Sequence, residues 1–325
     1  MGGKLPVIVT TIVFLIGFAI CGVHFRHFAS TRVVADLLTD NAYLGVMAVG
    51  MTFVIISGGI DLSVGAVLGF TTVFLAIAIG KLGIPVPIAF GLVLLLSAAF
   101  GAAMGALIQY LEMPPFIVTL AGMFLARGSA FLLSTQSIPV TAPLYDTLNN
   151  FAVHLPGGGR LSFVTMLMLA VFALGILLLH FTRFGANVYA LGGSRASTTL
   201  MGIPVARTTV QIYMLSSTLA GLSGIVFSLY TSSGYSLSGV GNELDAIAAV
   251  VIGGTLLSGG YGTLFGTFVG VMIEGLIQTY ITFDGTLSSW WAKIVTGALL
   301  FAFIAFQQVM SSGVLRRRRS PTARA

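Results

Sequence analysis

The chain has 325 residues, of which 57% are hydrophobic and only 7% charged. Soluble domains carry roughly 25% charged residues, so an ordinary soluble enzyme or binding module is excluded and an integral membrane protein is indicated. The formal net charge of +6 does not point to nucleic acid, because five of the fifteen basic residues (Arg316, Arg317, Arg318, Arg319 and Arg324) lie at the C-terminal end beside the last apolar run. Basic residues in that position are a cytoplasmic topology signal and attract anionic lipid.

The first apolar run, Leu5–Val23, follows Lys4 and is longer than a signal-peptide core, with no A-x-A cleavage pattern after it. It reads as a first membrane helix. Further apolar windows fall at 42–57, 64–79, 85–111, 116–134, 163–181, 209–230, 244–258, 262–282 and 288–310. A span of about 20 apolar residues crosses a hydrocarbon core of about 30 Å. The expectation is therefore an all-α polytopic membrane protein with about ten transmembrane helices, some interrupted by glycines. These runs are too long for barrel strands. Residues 1–310 are read as a single transmembrane domain and 311–325 as a basic cytoplasmic tail.

The single cysteine, Cys21, excludes an intramolecular disulfide and any cysteine-based metal cluster. His24 and His27, three apart, suit either a helical metal pair or an interfacial position, so no metal site is assigned. Segments 24–41 and 135–162 read as external loops. The second is punctuated by Pro139, Pro143, Pro156 and Gly157-Gly158-Gly159.

Ser57-Gly58-Gly59-Ile60-Asp61-Leu62-Ser63-Val64-Gly65, followed by Gly69, aligns with Ser258-Gly259-Gly260-Tyr261-Gly262-Thr263-Leu264-Phe265-Gly266, followed by Gly270. Both read S-G-G-x5-G-x3-G and join two apolar pieces, at least one of which is short for a crossing. Paired short segments interrupted by glycine point to a transport pathway, and small residues equally permit close helix packing. If each pair is a broken helix the number of crossings falls but stays even. Asp61 is a carboxylate in an apolar context, where insertion costs roughly 2.5–3.5 kcal/mol. It either caps the helix beginning near Leu62, or, with Ser63, ties down the glycine turn and lines a path for a polyhydroxy solute.

Residues 182–208 interrupt the apolar pattern with a polar, weakly basic stretch. Gly192-Gly193 reads as a break, Ser194 as an N-cap and Gly202 as the C′ residue of a short helix. Pro204 prevents its continuation. The distribution of basic residues places both termini in the cytoplasm: Lys4, Arg183, Arg195, Arg207 and the tail inside, and Arg26, Arg32, Lys81 and Arg160 outside. Arg26 and Arg32 fit this arrangement imperfectly. It puts the 182–208 loop inside, where it serves either as a connector or as a grip for another protein.

Glu243 and Asp245 stand at the outer start of the 244–258 window, where acids suit a helix N-terminus. Glu274 is the acid expected deepest in a span, open to a solute hydroxyl, a proton, or pairing with Arg127 or Lys293. Gln278, four residues on, shares its helical face. Trp290-Trp291 match an interfacial belt. No G-x-x-x-x-G-K-[ST] motif is present, hence no intrinsic ATPase is expected. No H-E-x-x-H, G-x-S-x-G or metal-ligand cluster occurs either, and nothing argues for an enzyme. A proton-driven carrier usually has a relay of buried acids, so a self-sufficient secondary carrier is the weaker reading.

Gly58-Gly59-Ile60-Asp61-Leu62-Ser63-Val64-Gly65, the 183–203 loop and Gly253-Gly254-Thr255-Leu256-Leu257-Ser258-Gly259-Gly260 together resemble the permease subunits of bacterial ribose-type sugar ABC importers. Phe283-Asp284-Gly285-Thr286-Leu287-Ser288-Ser289-Trp290-Trp291 and Pro156-Gly157-Gly158-Gly159-Arg160 are similar to the permeases of galactofuranose importers in particular, with ribose and other aldoses as the alternative cargo. The resemblance implies an inner-membrane machine. Its parts would be an extracytoplasmic sugar-binding protein, a second and different permease chain, and a cytoplasmic ATPase holding ATP and magnesium, with no cofactor in this chain. It also implies a coupling helix that fits a groove of the ATPase. That role maps onto Arg183, Gly185, Gly192, Gly193, Ser194, Arg195, Leu200, Met201, Gly202 and Ile203, with Leu200, Met201 and Ile203 as the apolar knob. Asp61, Ser63, Glu274 and Gln278 remain the translocation-path candidates.

Overall fold

The computed structural model describes residues 5–318, with side chains described to Val309. It is a helical bundle. Seven of the described helices are long and apolar enough to cross a membrane: α1 (Leu5–His24), α5 (Val86–Tyr110), α6 (Pro115–Leu133), α8 (Phe163–Phe181), α11 (Val205–Thr231), α13 (Leu264–Asp284) and α14 (Trp290–Arg318), the last over its Trp290–Val309 portion. An eighth crossing arises if α2 (Thr31–Asp40) and α3 (Ala42–Ile56), bent by 56° at Asn41, are one broken span. Three more helices are short: α4 (Val64–Gly80), α7 (Pro143–Asn150) and α12 (Asn242–Ile252). The 182–208 stretch forms α9 (Arg183–Gly193) and α10 (Arg195–Leu200).

The core follows from α3 and α11. All but one residue of α3 is buried, as its uniformly apolar sequence requires. α11 packs along α3, α4 and α5. By contrast α1 and α14 lie at the periphery and expose apolar faces, as helices do when lipid is the solvent.

Both interrupted segments contain helices that start well inside the bundle. α11 has 27 residues, about 40 Å at 1.5 Å per residue. Ser216 lies near its middle, and its hydroxyl donates to Asp61 Oδ2 at 2.8 Å. The chain therefore descends α3, turns at Ser57–Gly59, returns extended to mid-height at Asp61, and only there begins α4. On the other side, residues 233–241 enter without regular helix and α12 begins beside Gly65, where a Cβ would meet Glu243 and the Gly239 carbonyl.

Several expectations are corrected. Segment 24–41 is not a plain loop, because Ser30 accepts from Val33 N and starts α2. The 135–162 loop contains α7 and two short ladders. β1 (Ile138–Pro139) pairs antiparallel with β4 (Ser233–Gly234), and β2 (Ala152–His154) with β3 (Arg160–Ser162). The polar stretch before Ser194 is itself a helix, α9, and the break expected at Gly192-Gly193 is its C-terminal end. The 244–258 window is an 11-residue helix followed by turns, too short to span alone. The 288–310 helix continues to Arg318, and the remainder of the basic tail, 319–325, lies outside the described residues.

The two S-G-G turns touch each other and α9. Gly260 N donates to Ile56 O at 2.8 Å. A Cβ on Gly192 would collide with that carbonyl and come within 2.5 Å of Gly260 N, whereas one on Gly193 would meet nothing. Overpacking costs about 1–3 kcal/mol. Gly192→Ala is therefore expected to lower the melting temperature of the detergent-solubilised protein by several degrees, and Gly193→Ala to leave it unchanged; equal melting temperatures would refute the close contact.

Candidate functional site

The glycine junction is the first part of the site. Gly259 has φ +83°, and a Cβ there would lie 2.9 Å from Gly58 Cα, so only glycine fits between the two turns. Tyr189 of α9 fastens the same junction by donating to Gly262 O at 2.6 Å. Burial pushes the Tyr189 phenol up to about 12, so it stays a protonated donor at physiological pH.

Local sequence explains the two short helices above the junction. Thr182 caps α9 by accepting from Gly185 N at 3.2 Å, and Ser194 caps α10 by accepting from Ser197 N at 3.2 Å. α10 is then tied down twice: Thr198 Oγ1 donates to Ala190 O at 2.7 Å, and Arg195 donates to Gln109 Oε1 of α5 at 2.8 Å. Gly202, at φ +74°, ends it. Held this way, Leu200 is 89% and Met201 69% exposed, while Ile203 is half-buried. Arg183 is exposed, and Gly185 is buried where the chain turns tightly against the Leu179 carbonyl.

The second part lies at mid-height. Asp61 is fully buried, and its Oδ1 accepts from Ser63 N at 3.0 Å and Ser63 Oγ at 2.6 Å. Together with Ser216, three donors converge on one carboxylate, which fixes the turn into α4. Arg127 of α6 holds the facing irregular segment. Its guanidinium donates to Ser236 O at 2.5 Å, Ser238 O at 2.7 Å and Gly65 O at 3.2 Å. Two carbonyls of the irregular 233–241 segment are thereby satisfied away from water, and the segment is tied to Gly65 at the start of α4.

The third part is a cavity of about 920 Å³ that opens at the end opposite the glycine junction. Glu274 and Gln278 of α13 line it, together with Asn41, Asn242, Asp245 and Lys293. Asp61 and Ser63 are not among its lining residues. Neither expected ion pair of Glu274 forms. Lys293 Nζ instead bonds both Asp245 oxygens at 2.6 Å, and Arg127 is occupied by carbonyls. Glu274 Oε1 is shut off from solvent without a hydrogen-bond partner. Glu243 and Asp245 stand in the first turn of α12, as acids at a helix N-terminus; Glu243 packs beside Gly65 and Asp245 lines the cavity.

Sequence reasoning missed Arg127, Asn41, Asn242 and the Asp245–Lys293 pair as site residues. Arg127 and Lys293 carried a usable signal, since a charge within an apolar span is a functional marker by the same rule that selected Glu274. Asn41 and Asn242 carried none, because their role depends on which helix breaks meet.

A family profile described as branched-chain amino acid transport system / permease component matches residues 33–304. The chain is 60% identical over 321 residues to the inner membrane ABC transporter permease protein YjfF of Escherichia coli (strain K12), covering 99% of this chain and 97% of that one. It is 38% identical over 316 residues to the fructose import permease protein FruG of Bifidobacterium longum (strain NCC 2705), covering 94% and 91%. The ribose import permease protein RbsC of Escherichia coli (strain K12) is 38% identical over 270 residues, covering 82% of each chain. No solved structure matches the chain.

Asp61→Ala would leave three donors unpaired, each costing about 1–3 kcal/mol, whereas Asp61→Asn keeps Oδ1 and the Ser216 hydroxyl can rotate to accept. Thermal unfolding of the purified variants is expected to show a loss for Ala several-fold larger than for Asn. Equal losses would remove the carboxylate from its anchoring role.

Proposed function

We propose, from the premise that this chain belongs to the family of ABC-transporter permease components that includes sugar import permeases, that it is the transmembrane subunit of an ATP-driven monosaccharide importer in a bacterial inner membrane. The preferred cargo is galactofuranose, on the resemblance of segments 156–160 and 283–291; ribose, another aldose or fructose is the alternative within the same family.

The observation that carries the reading is the connection from α10 to the glycine junction. Leu200 and Met201 stand out of a helix that is otherwise tethered, forming an apolar knob for a separate ATPase. Behind them, α9 rests backbone to backbone on the turns that lead into α4 and α13. A push on α10 would thus be delivered to the turns before α4 and α13 without passing through flexible side chains. Arg183, Gly185, Gly192, Gly193, Ser194, Arg195, Gly202 and Ile203 shape this contact. Glu274 and Gln278 line the path; Asp61 and Ser63 hold the break beside it.

In this reading the glycine end faces the cytoplasm, with both termini, the ATPase and its ATP and magnesium. Arg183, Arg195 and Arg207 lie at that end; Lys4 directly precedes α1 in sequence and the arginine run begins in the last turn of α14. The opposite end, with its cavity, receives sugar from an extracytoplasmic binding protein. A second, different permease chain completes the pathway.

Two measurements check this. Leu200→Asp with Met201→Asp is expected to lower ATPase co-purification at least tenfold while the permease still inserts; undiminished co-purification would refute the coupling assignment. Uptake by the reconstituted importer is expected to need ATP and the binding protein. Uptake that survives ATPase loss and collapses with an uncoupler would identify a secondary carrier instead.

A further inference from the structure

We infer that the cavity opposite the glycine junction is a binding site within this chain for an uncharged polyhydroxylated ligand, and that its charge arrangement rejects anionic sugars such as phosphates and uronates. The inference rests on the sugar-import reading and adds the location of the site, its residues and its selectivity.

Charge decides the ligand class. Four carboxylates line the cavity (Asp36, Asp40, Asp245 and Glu274), against the cations Arg32 and Lys293 and the imidazole of His27. Both cations face acids already: Lys293 holds both oxygens of Asp245, and Arg32 Nε lies 4.0 Å from Asp36. An entering phosphate or carboxylate would find Lys293 already held by Asp245 and would meet Arg32 only at the exposed mouth beside Asp36, while the acids farther in oppose it.

The polar groups left over suit hydroxyls. Asn41 spends Nδ2 on Leu37 O at 2.8 Å, keeping Oδ1 available. The side-chain amides of Asn242 and Gln278 and the carboxyl of Glu274 complete the set, and Glu274 Oε1 has no partner. Amides both donate and accept, as sugar hydroxyls do. A buried acceptor without a partner costs free energy, and a hydroxyl that reaches Glu274 Oε1 once the side chain turns into the cavity recovers it. Tyr43, Phe227 and Trp290 supply ring surface on the same walls for the apolar C–H face of a sugar. The volume of about 920 Å³ lies at the upper end of small-molecule sites, which run about 300–1,000 Å³. It has room for a monosaccharide and water.

The chain contains only two tryptophans, and Trp290 lines the cavity while Trp291 does not. In a Trp291→Phe background the remaining tryptophan therefore reports on the site. The full chain in nanodiscs is titrated with D-galactose, D-ribose and D-fructose, and with D-galacturonate and D-ribose 5-phosphate. Expected is a saturable change of Trp290 fluorescence with at least one neutral sugar and binding at least tenfold weaker for both anions. Glu274→Ala and Asn242→Ala should each weaken the neutral sugar at least tenfold, with folding verified by thermal unfolding and Glu274→Gln serving as the conservative variant. Asp245→Asn, which releases Lys293, should raise galacturonate affinity at least tenfold.

No saturable response to any neutral sugar, equal binding of anionic and neutral sugars, or indifference to both alanine variants would overturn the inference. ATP-driven uptake by the reconstituted importer is measured in parallel. Intact uptake without Trp290 binding sinks the site and leaves the importer standing; saturable binding without ATP-dependent uptake sinks the importer and leaves the site.

Discussion

Everything in this bundle turns on one constraint: three glycine-bearing segments meet at one end with no side chain between them. The hydrogen bond from Gly260 N to Ile56 O joins the two S-G-G turns, and Gly192 presses α9 onto the same carbonyl. A backbone junction of this kind is stiff, because close-packed atoms transmit displacement and no rotamer change can absorb it. It sets the position of α9 and hence of α10. It also fixes where α4 and α13 depart.

The cost of that arrangement falls at mid-height. Two helices that begin inside an apolar bundle leave backbone amides and carbonyls that no water can satisfy. Asp61 answers on one side by gathering Ser63 and Ser216, and Arg127 answers on the other by gathering three carbonyls. The two charges are thus structural partners of the broken helices. Their burial explains how irregular backbone persists in the bundle, while the polar residues that line the cavity stand elsewhere, around Glu274.

The two candidate sites lie at opposite ends of the bundle. At the glycine end an exposed apolar pair, Leu200 and Met201, sits on a tethered helix. At the other end lies a polar cavity whose acids outnumber its free bases. Between them run the broken segments, so a displacement at one end has a short mechanical route to the walls of the other. In the importer reading, ATP-driven work enters at the first and sugar at the second.

Composition and pattern alone determined the class, most helix limits and the short helix after Ser194, since hydropathy and capping act over a few residues and need no partner. The internal S-G-G repeat was legible for the same reason, and with it the likeness to a known permease family carried by its motifs. What the sequence left open was which elements meet. Glu274 was readable as a buried acid, but its isolation from Arg127 and Lys293 depends on where α12 begins, and that is set by contacts between residues far apart in the chain. Asn41 and Asn242 acquire meaning only when a bend and a helix start are brought to one cavity. Likewise the glycine pairs at 58, 192 and 259 each announced a turn or a helix end; only tertiary packing decided that they would be one junction, because backbone contact across that distance in sequence has no local signature.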